Sequence, residues 1–327
     1  MHAFVTGATG FIGSNLVRKL KKLGWKVNVL LRDKSLMGRI SNVKGLKIYE
    51  GDLSDKKLLG SASRDVDVII NCAAALPYHK LSDKAYTKAN VDGLRNILEV
   101  ARARKIRLVH LSTVGIYGPT AADGINEEEP LNPQDIYAKT KVQGEELIKF
   151  YENRYGVKVV IIRPTIAYGP GDTRPGFLNL FKLIKKGIFV PIGSGQNYFH
   201  TIYIDNLLGA LILAATKKGV EGADFIIGDE PAPKMKQIIN SISKILGRNT
   251  LPFYIPKPLG FLIGSFFDLC EKLNLPAILP TQRVKFLTET KRYKINKAKK
   301  LLGYKPRINL NEGLKRTHLW YKENGYL

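Results

Sequence analysis

The chain is poor in cysteine and acidic residues and has no long apolar run. Its 327 residues include 2 cysteines, 3 methionines and 2 tryptophans. Cys72 and Cys270 stand far apart in apolar surroundings, which argues against a disulfide framework and for a reducing compartment. No uninterrupted apolar stretch approaches bilayer-spanning length, and no basic segment followed by an apolar one opens the sequence. The expected protein is therefore cytoplasmic, with no transmembrane segment. The histidines, His2, His79, His110, His200 and His318, are isolated, and no cysteine or carboxylate cluster has ligand spacing, so no metal is expected. The nucleophile elbow G-x-S-x-G is missing too. Acidic residues number 28 against 52 Lys and Arg, a net charge of +24. These bases are spread over nearly every helical and loop segment without interleaved aromatics, which argues against a nucleic-acid partner. A basic surface of this kind suits anionic ligands or an acidic membrane surface, the latter as peripheral contact.

What is present begins with the stretch HAFVTGATGFIGSNLVRKL. An apolar strand runs into three glycines and then into an amphipathic helix. Gly7 permits the tight turn, Gly10 lets backbone approach a pyrophosphate, and Gly13 lets helix and strand pack closely. Phosphates are expected at that helix's N-terminus, where free N–H groups and the macrodipole favour negative charge. Gly7, Thr9, Gly10, Phe11, Ile12 and Gly13 are thus the candidate cradle for a dinucleotide. Beyond it, AFVT, KVNVLL, LKIYEG, VDVIINCA, RLVHLST and VKVVIIRP alternate with helical patterns. That rhythm predicts an α/β fold: a Rossmann-type, doubly wound parallel sheet covered on both faces, with a smaller C-terminal α/β lobe. The alternation loosens after Pro164. The expected division is a dinucleotide-binding domain over 1–167, to which 201–230 returns, and a substrate-binding lobe over 168–200 and 231–327.

Tyr137 and Lys141, four residues apart in IYAKTKVQGEE, share a helix face, so an ammonium can favour the ionised phenol. TGATGFIG, GDLSD, NCAA, NVDGLRN, LSTVGIYG, YAKTK, RPTIAYGPGD and YIDN together resemble, in order and spacing, the NAD(P)-dependent epimerase/dehydratase kind of extended short-chain dehydrogenase/reductase. The resemblance implies an enzyme in which Tyr137 exchanges a proton with a substrate hydroxyl or carbonyl and Lys141 holds the nicotinamide ribose. It implies that Thr113 polarises the substrate, with Ser112 as the alternative. Relatives that dehydrate sugars carry an Asp-Glu pair after the threonine; Val114 and Gly115 stand here, which disfavours dehydration.

For the cofactor, the acidic position of NAD-selective relatives matches Leu31. Arg32 and Lys34 can stack on adenine and pair with a 2′-phosphate, so NADP is expected, with NAD as the alternative through Asp33. Asp52 and Leu53 resemble the pair beside adenine, and Ala73, Ala74 and Pro164 the cofactor-lining positions. Asn90 falls where relatives use an asparagine to steady sheet and helix. Asn179, Lys182 and His200 are candidates for binding a small-molecule substrate, in the first place a nucleotide-linked sugar. The arginine that many UDP-sugar epimerases place before an I-H-V-D-D-like motif is replaced by Asn197-Tyr198-Phe199-His200. That departure, with the apolar block Ile255–Leu269, also resembles the 3β-hydroxysteroid dehydrogenase branch. A 3β-hydroxy lipid or similar apolar alcohol is therefore the alternative substrate, and a noncatalytic dinucleotide-binding protein the remaining one. The block either packs in the core, which is the default, or forms a lid or membrane contact. The expected assembly is a homodimer.

Overall fold

A computed structural model describes residues 1–79, 81–119, 124–249, 253–273, 275 and 279–327. The strands are β1 (His2–Thr6), β2 (Lys26–Leu31), β3 (Leu46–Glu50), β4 (Val68–Asn71), β5 (Arg107–Leu111), β6 (Val159–Pro164), β7 (Ile166–Tyr168), β8 (Thr201–Tyr203) and β9 (Asp224–Ile227). The helices are α1 (Phe11–Lys22), α2 (Lys56–Ala62), α3 (Asp83–Thr87), α4 (Gly93–Arg104), α5 (Ile136–Tyr155), α6 (Pro175–Lys185), α7 (Ile204–Thr216), α8 (Met235–Leu246), α9 (Lys257–Lys272), α10 (Thr281–Thr288) and α11 (Leu310–Glu323).

Seven strands form one parallel sheet in the order β3-β2-β1-β4-β5-β6-β9, and β7 pairs in parallel with β8 apart from it. The strands are apolar on both faces because both are covered. Val5, Val29 and Ile70 pack toward Leu16 and Leu20 of α1 and Leu207 and Leu211 of α7. On the other face Phe4, Ile69 and Leu108 pack toward Leu59 of α2, Ile97 of α4 and Ile148 of α5. The winding reverses between β1 and β4, so the crevice at their carboxyl ends is where such a sheet takes a ligand. Gly7 and Ala73 stand at that crevice.

The helix carrying the Tyr-Lys pair is set by its ends. The Asp135 side chain accepts from the Ala138 amide at 2.7 Å, and Gly156 closes the last turn with φ +66°. Its inner face leans on Asn90, whose side chain accepts from Ala75 N at 2.7 Å and donates to Ala75 O at 3.2 Å and Thr140 Oγ1 at 3.0 Å. Lone backbone pairings of Phe199 with Lys291, Ile125 with Tyr293 and Tyr198 with Lys234 tie the later segments together.

Candidate active site

The glycine loop has the shape of a phosphate cradle. Gly7 has φ +67°, and a Cβ there would lie 2.6 Å from Ala73 N; on Gly13 it would lie 2.1 Å from Gly7 O. Gly10 is different: its Cβ would meet only Gly7 O, at 3.3 Å, and it caps α1 without a side-chain bond. Two glycines thus allow close packing, while the third leaves backbone open toward the crevice. These features fit a dinucleotide pyrophosphate. Thr9 and Ile12 are half-buried beside it. The Phe11 ring is buried with the Arg174 guanidinium 4.8 Å above it.

Toward the adenosine end, Leu31 is buried at the tip of β2 and Arg32 is exposed. Arg32 and Lys88 lie close enough to Asp52 to stabilise its charge, after the Ser54 hydroxyl and amide, which do most to hold that carboxyl low. Asp33 accepts from Ser35 N at 2.7 Å, which also holds its carboxyl low and commits one oxygen to capping the next turn. The Lys34 side chain lies outside the described residues. Leu53 packs on α4, where a Cβ on Gly93 would come within 2.9 Å of it, and its carbonyl accepts from Asn96. Ala73 and Ala74 are half-buried after β4, and Pro164 is buried at the end of β6.

At the centre, Tyr137 is half-buried and hydrogen-bonded to the Thr113 hydroxyl, which also accepts from Gly115 N at 3.0 Å. Burial raises the phenol above its ordinary value and Asp135 adds to this, while the Thr113 bond and the Arg174 charge work against them. Lys141 is buried, donates to Leu111 O at 2.7 Å, and is pulled down to about 8 by burial, opposed by Glu145 and Cys72. Among the described residues Arg174 is a cation whose charge favours the ionised phenol, held by Asp172 at 2.6 Å and by Ala167 O at 2.7 Å. Arg174 escaped the sequence reading because its approach depends on the fold of the G-P-G-D loop.

Ser112 turns away from Tyr137. Its hydroxyl donates to Glu145 Oε1 at 2.5 Å. Glu145 in turn pairs with Arg163 at 2.6 Å, and Arg163 reaches Asp224 at 2.5 Å and the Tyr117 hydroxyl at 2.7 Å. This buried network braces the helix behind Lys141. The position of Ser112 reflects strand alternation: neighbouring side chains leave the end of β5 on opposite sides. Val114 is buried and Gly115 exposed, leaving no carboxyl pair at those positions.

The candidate substrate residues are not brought together. Asn179 and Lys182 are exposed on α6. His200 is buried with both nitrogens engaged: Nδ1 accepts from Tyr293 N at 3.1 Å, and Nε2 lies 2.7 Å from Asp229 O. Burial pulls its pKa down to about 4, so it is neutral near pH 7 and locks the surrounding segments. The cationic feature nearby lies at Tyr198, with the Arg292 guanidinium 4.9 Å and Lys234 Nζ 5.8 Å from its ring centre. Neighbouring Lys291 lies within the field of Asp135 at the start of α5. Sequence reading missed Arg292 because it lies far along the chain from Tyr198, and the two segments meet through folded contacts such as the Phe199–Lys291 pairing.

The doubly wound sheet and the family match below define a nicotinamide-dependent enzyme of the extended short-chain dehydrogenase/reductase type. The chain belongs to the NAD dependent epimerase/dehydratase family, whose model matches residues 3–228. It is similar to the sterol-4-alpha-carboxylate 3-dehydrogenase of Saccharomyces cerevisiae, 27% identical over 98% of this chain and 97% of that one. It is similar to the UDP-glucose 4-epimerase of Vibrio cholerae as well, 27% identical over 96% and 93%. In fold it matches the UDP-glucuronic acid 4-epimerase of Bacillus cereus, solved with NAD, at TM-score 0.80 and 24% identity over 99% of both chains.

Proposed function

We propose that the protein oxidises a ring hydroxyl of a nucleotide-linked sugar and returns hydride to the same carbon, acting as an epimerase. The observation that carries this reading is the cationic pair on Tyr198. Arg292 and Lys234, the latter also donating to Gln196 Oε1 at 3.0 Å, share one aromatic ring, and the adjoining Lys291, paired with Glu289 at 3.9 Å, lies within the field of Asp135. Two cations placed this way suit a diphosphate better than a neutral alcohol. The similarity to UDP-glucose 4-epimerase supports the same class.

In this reading Tyr137 takes the proton of the reacting hydroxyl and gives it back, while Thr113 donates to the same oxygen. The raised phenol is protonated near neutrality and a weak acid, so oxidation requires positive charge that makes it easier to ionise, to which Arg174 contributes. A bound nicotinamide supplies the hydride acceptor. Gly10 would leave backbone open to its phosphates while Gly7 and Gly13 let strand and helix pack behind it, and Lys141, anchored on Leu111 O, would hold its ribose. Val114 and Gly115 offer no acid/base pair for eliminating water. NADP is the favoured cofactor, because buried Leu31 offers no carboxylate to a ribose diol and exposed Arg32 offers a cation to a 2′-phosphate. The favoured assembly is a homodimer, supported by exposed Phe150 and Tyr155 on α5, and the favoured location the cytoplasm.

A second reading is a dehydrogenase or reductase of a 3β-hydroxy lipid, favoured by similarity to the sterol dehydrogenase over nearly the whole chain. Incubation with UDP- and GDP-sugars, with chromatography of the products, separates the two. The proposal expects an epimeric sugar nucleotide without accumulated reduced cofactor. Nicotinamide absorbance change with 3β-hydroxy lipids alone overturns it.

A further inference from the structure

Helix α9 buries one face and, among the described residues, leaves an apolar one uncovered. Its packed side is marked by glycine: a Cβ on Gly260 would lie 2.7 Å from the Ile192 side chain, and one on Gly264 2.9 Å from Thr281 backbone. Asp268 is on that side as well, accepting from Thr281 N at 3.0 Å. On the other side Leu259, Leu262, Phe266, Leu269 and, just past the helix, Leu273 recur at helical spacing as one seam. Leu262 is 68% and Phe266 63% exposed. Core packing, the default for this block, thus holds for the glycine face and fails for the seam. Phe253, Tyr254 and Leu275 extend the exposed apolar surface at its ends.

Apart from exposed Glu271 near the end of α9, the described charged surroundings are largely basic. Lys182, Lys185 and Lys186 at the end of α6 are exposed beside exposed Leu183 and Ile188. From there the chain runs directly to Ile192, which pairs with Ile255 just ahead of α9. Lys257 and Lys285 are exposed on α9 and the adjoining α10. At +24 overall, two copies meeting through this surface would bring like charges together. A surface with anionic headgroups instead receives the lysines and accepts the seam into its acyl boundary. No described helix is long and apolar enough to cross a membrane.

We propose that the α9 seam, with the lysines around it, seats the protein on the surface of an anionic phospholipid bilayer. The test is flotation of the full chain with phosphatidylcholine vesicles and with vesicles that also contain phosphatidylglycerol. Strong binding to the mixed vesicles is expected, weakened by salt, with little binding to phosphatidylcholine alone. Leu262→Gln with Phe266→Gln is expected to lower binding about tenfold or more, as is Lys185→Gln with Lys186→Gln, while circular dichroism melts stay unchanged. Should the seam variant misfold, Phe266→Trp gives a second readout. Its emission, above the wild-type background, is expected to be quenched by brominated lipid in mixed vesicles. Failure to bind mixed vesicles, binding that survives seam replacement, or unquenched emission from the Phe266→Trp variant overturns the proposal. So does a dimer in solution that the seam variant converts to monomer while vesicles are ignored.

Discussion

Replacing Glu145 by Gln removes a negative charge behind Lys141 while nearly preserving the side chain's shape. The two residues are one helical turn apart, so their charged groups are separated by roughly 8 Å. At an effective dielectric of about 20 their attraction is ~2 kcal/mol. Arg163, 2.6 Å from Glu145, offsets part of that field. About 1 kcal/mol of support for the protonated lysine then disappears, a little under one pH unit. Lys141 titrates near 8 because burial outweighs Glu145, so the variant should titrate close to 7. The sign follows from which form Glu145 favours: it stabilises the ammonium, and its loss lets the proton leave at lower pH. The assay is NMR titration of 15N-lysine-labelled protein, with Lys141→Arg identifying the resonance, alongside the alkaline limb of kcat/KM. Both should move down together. The variant also loses part of a buried ion pair, so a stability cost of up to ~3 kcal/mol is expected, and measurements belong well below its Tm. A titration that stays put, or moves up, refutes the placement of Glu145 behind Lys141.

Tyr137→Phe should lower kcat by about 10²–10⁴ with cofactor affinity nearly unchanged, read by turnover and calorimetry. Near wild-type turnover contradicts the proton-transfer role. Arg32→Ala should narrow the NADPH preference over NADH by about tenfold in calorimetry, as one charge-assisted bond is lost. Tighter NADH binding by the unmodified protein means Arg32 has another task. Gly13→Ala places a methyl 2.1 Å from Gly7 O, so α1 must move off β1. The expected cost is about 3 kcal/mol with loss of cofactor binding, measured by urea unfolding and calorimetry. A variant with unchanged stability shows that this packing is looser than the backbone indicates.

Local pattern carried much of the fold. Alternating apolar strands and helices announced the doubly wound sheet, and the spacing of Gly7, Gly10 and Gly13 announced the turn between β1 and α1. Tyr137 and Lys141 were legible because one helical turn puts them on one face. What stayed hidden depends on contacts distant in sequence. Arg163 meets Glu145 and Asp224 only after β6 pairs with β9 and packs on α5. His200 looked available for substrate, yet its nitrogens are spent on Tyr293 and Asp229 from two other segments. An apolar run such as that around Leu259–Leu269 does not say which side packs. The answer lay in Gly260 and Gly264, whose small size lets that face approach Ile192 and Thr281.

In the proposed reaction hydride leaves and returns to one sugar carbon under the control of Tyr137. A UDP-sugar deuterated at the carbon bearing the reacting hydroxyl tests it directly, with products followed by chromatography and mass spectrometry. The expected result is an epimeric product that retains the deuterium, no accumulated reduced cofactor, and loss of the conversion in Tyr137→Phe. Deuterium lost to solvent, or epimerisation that survives Tyr137→Phe, would contradict it.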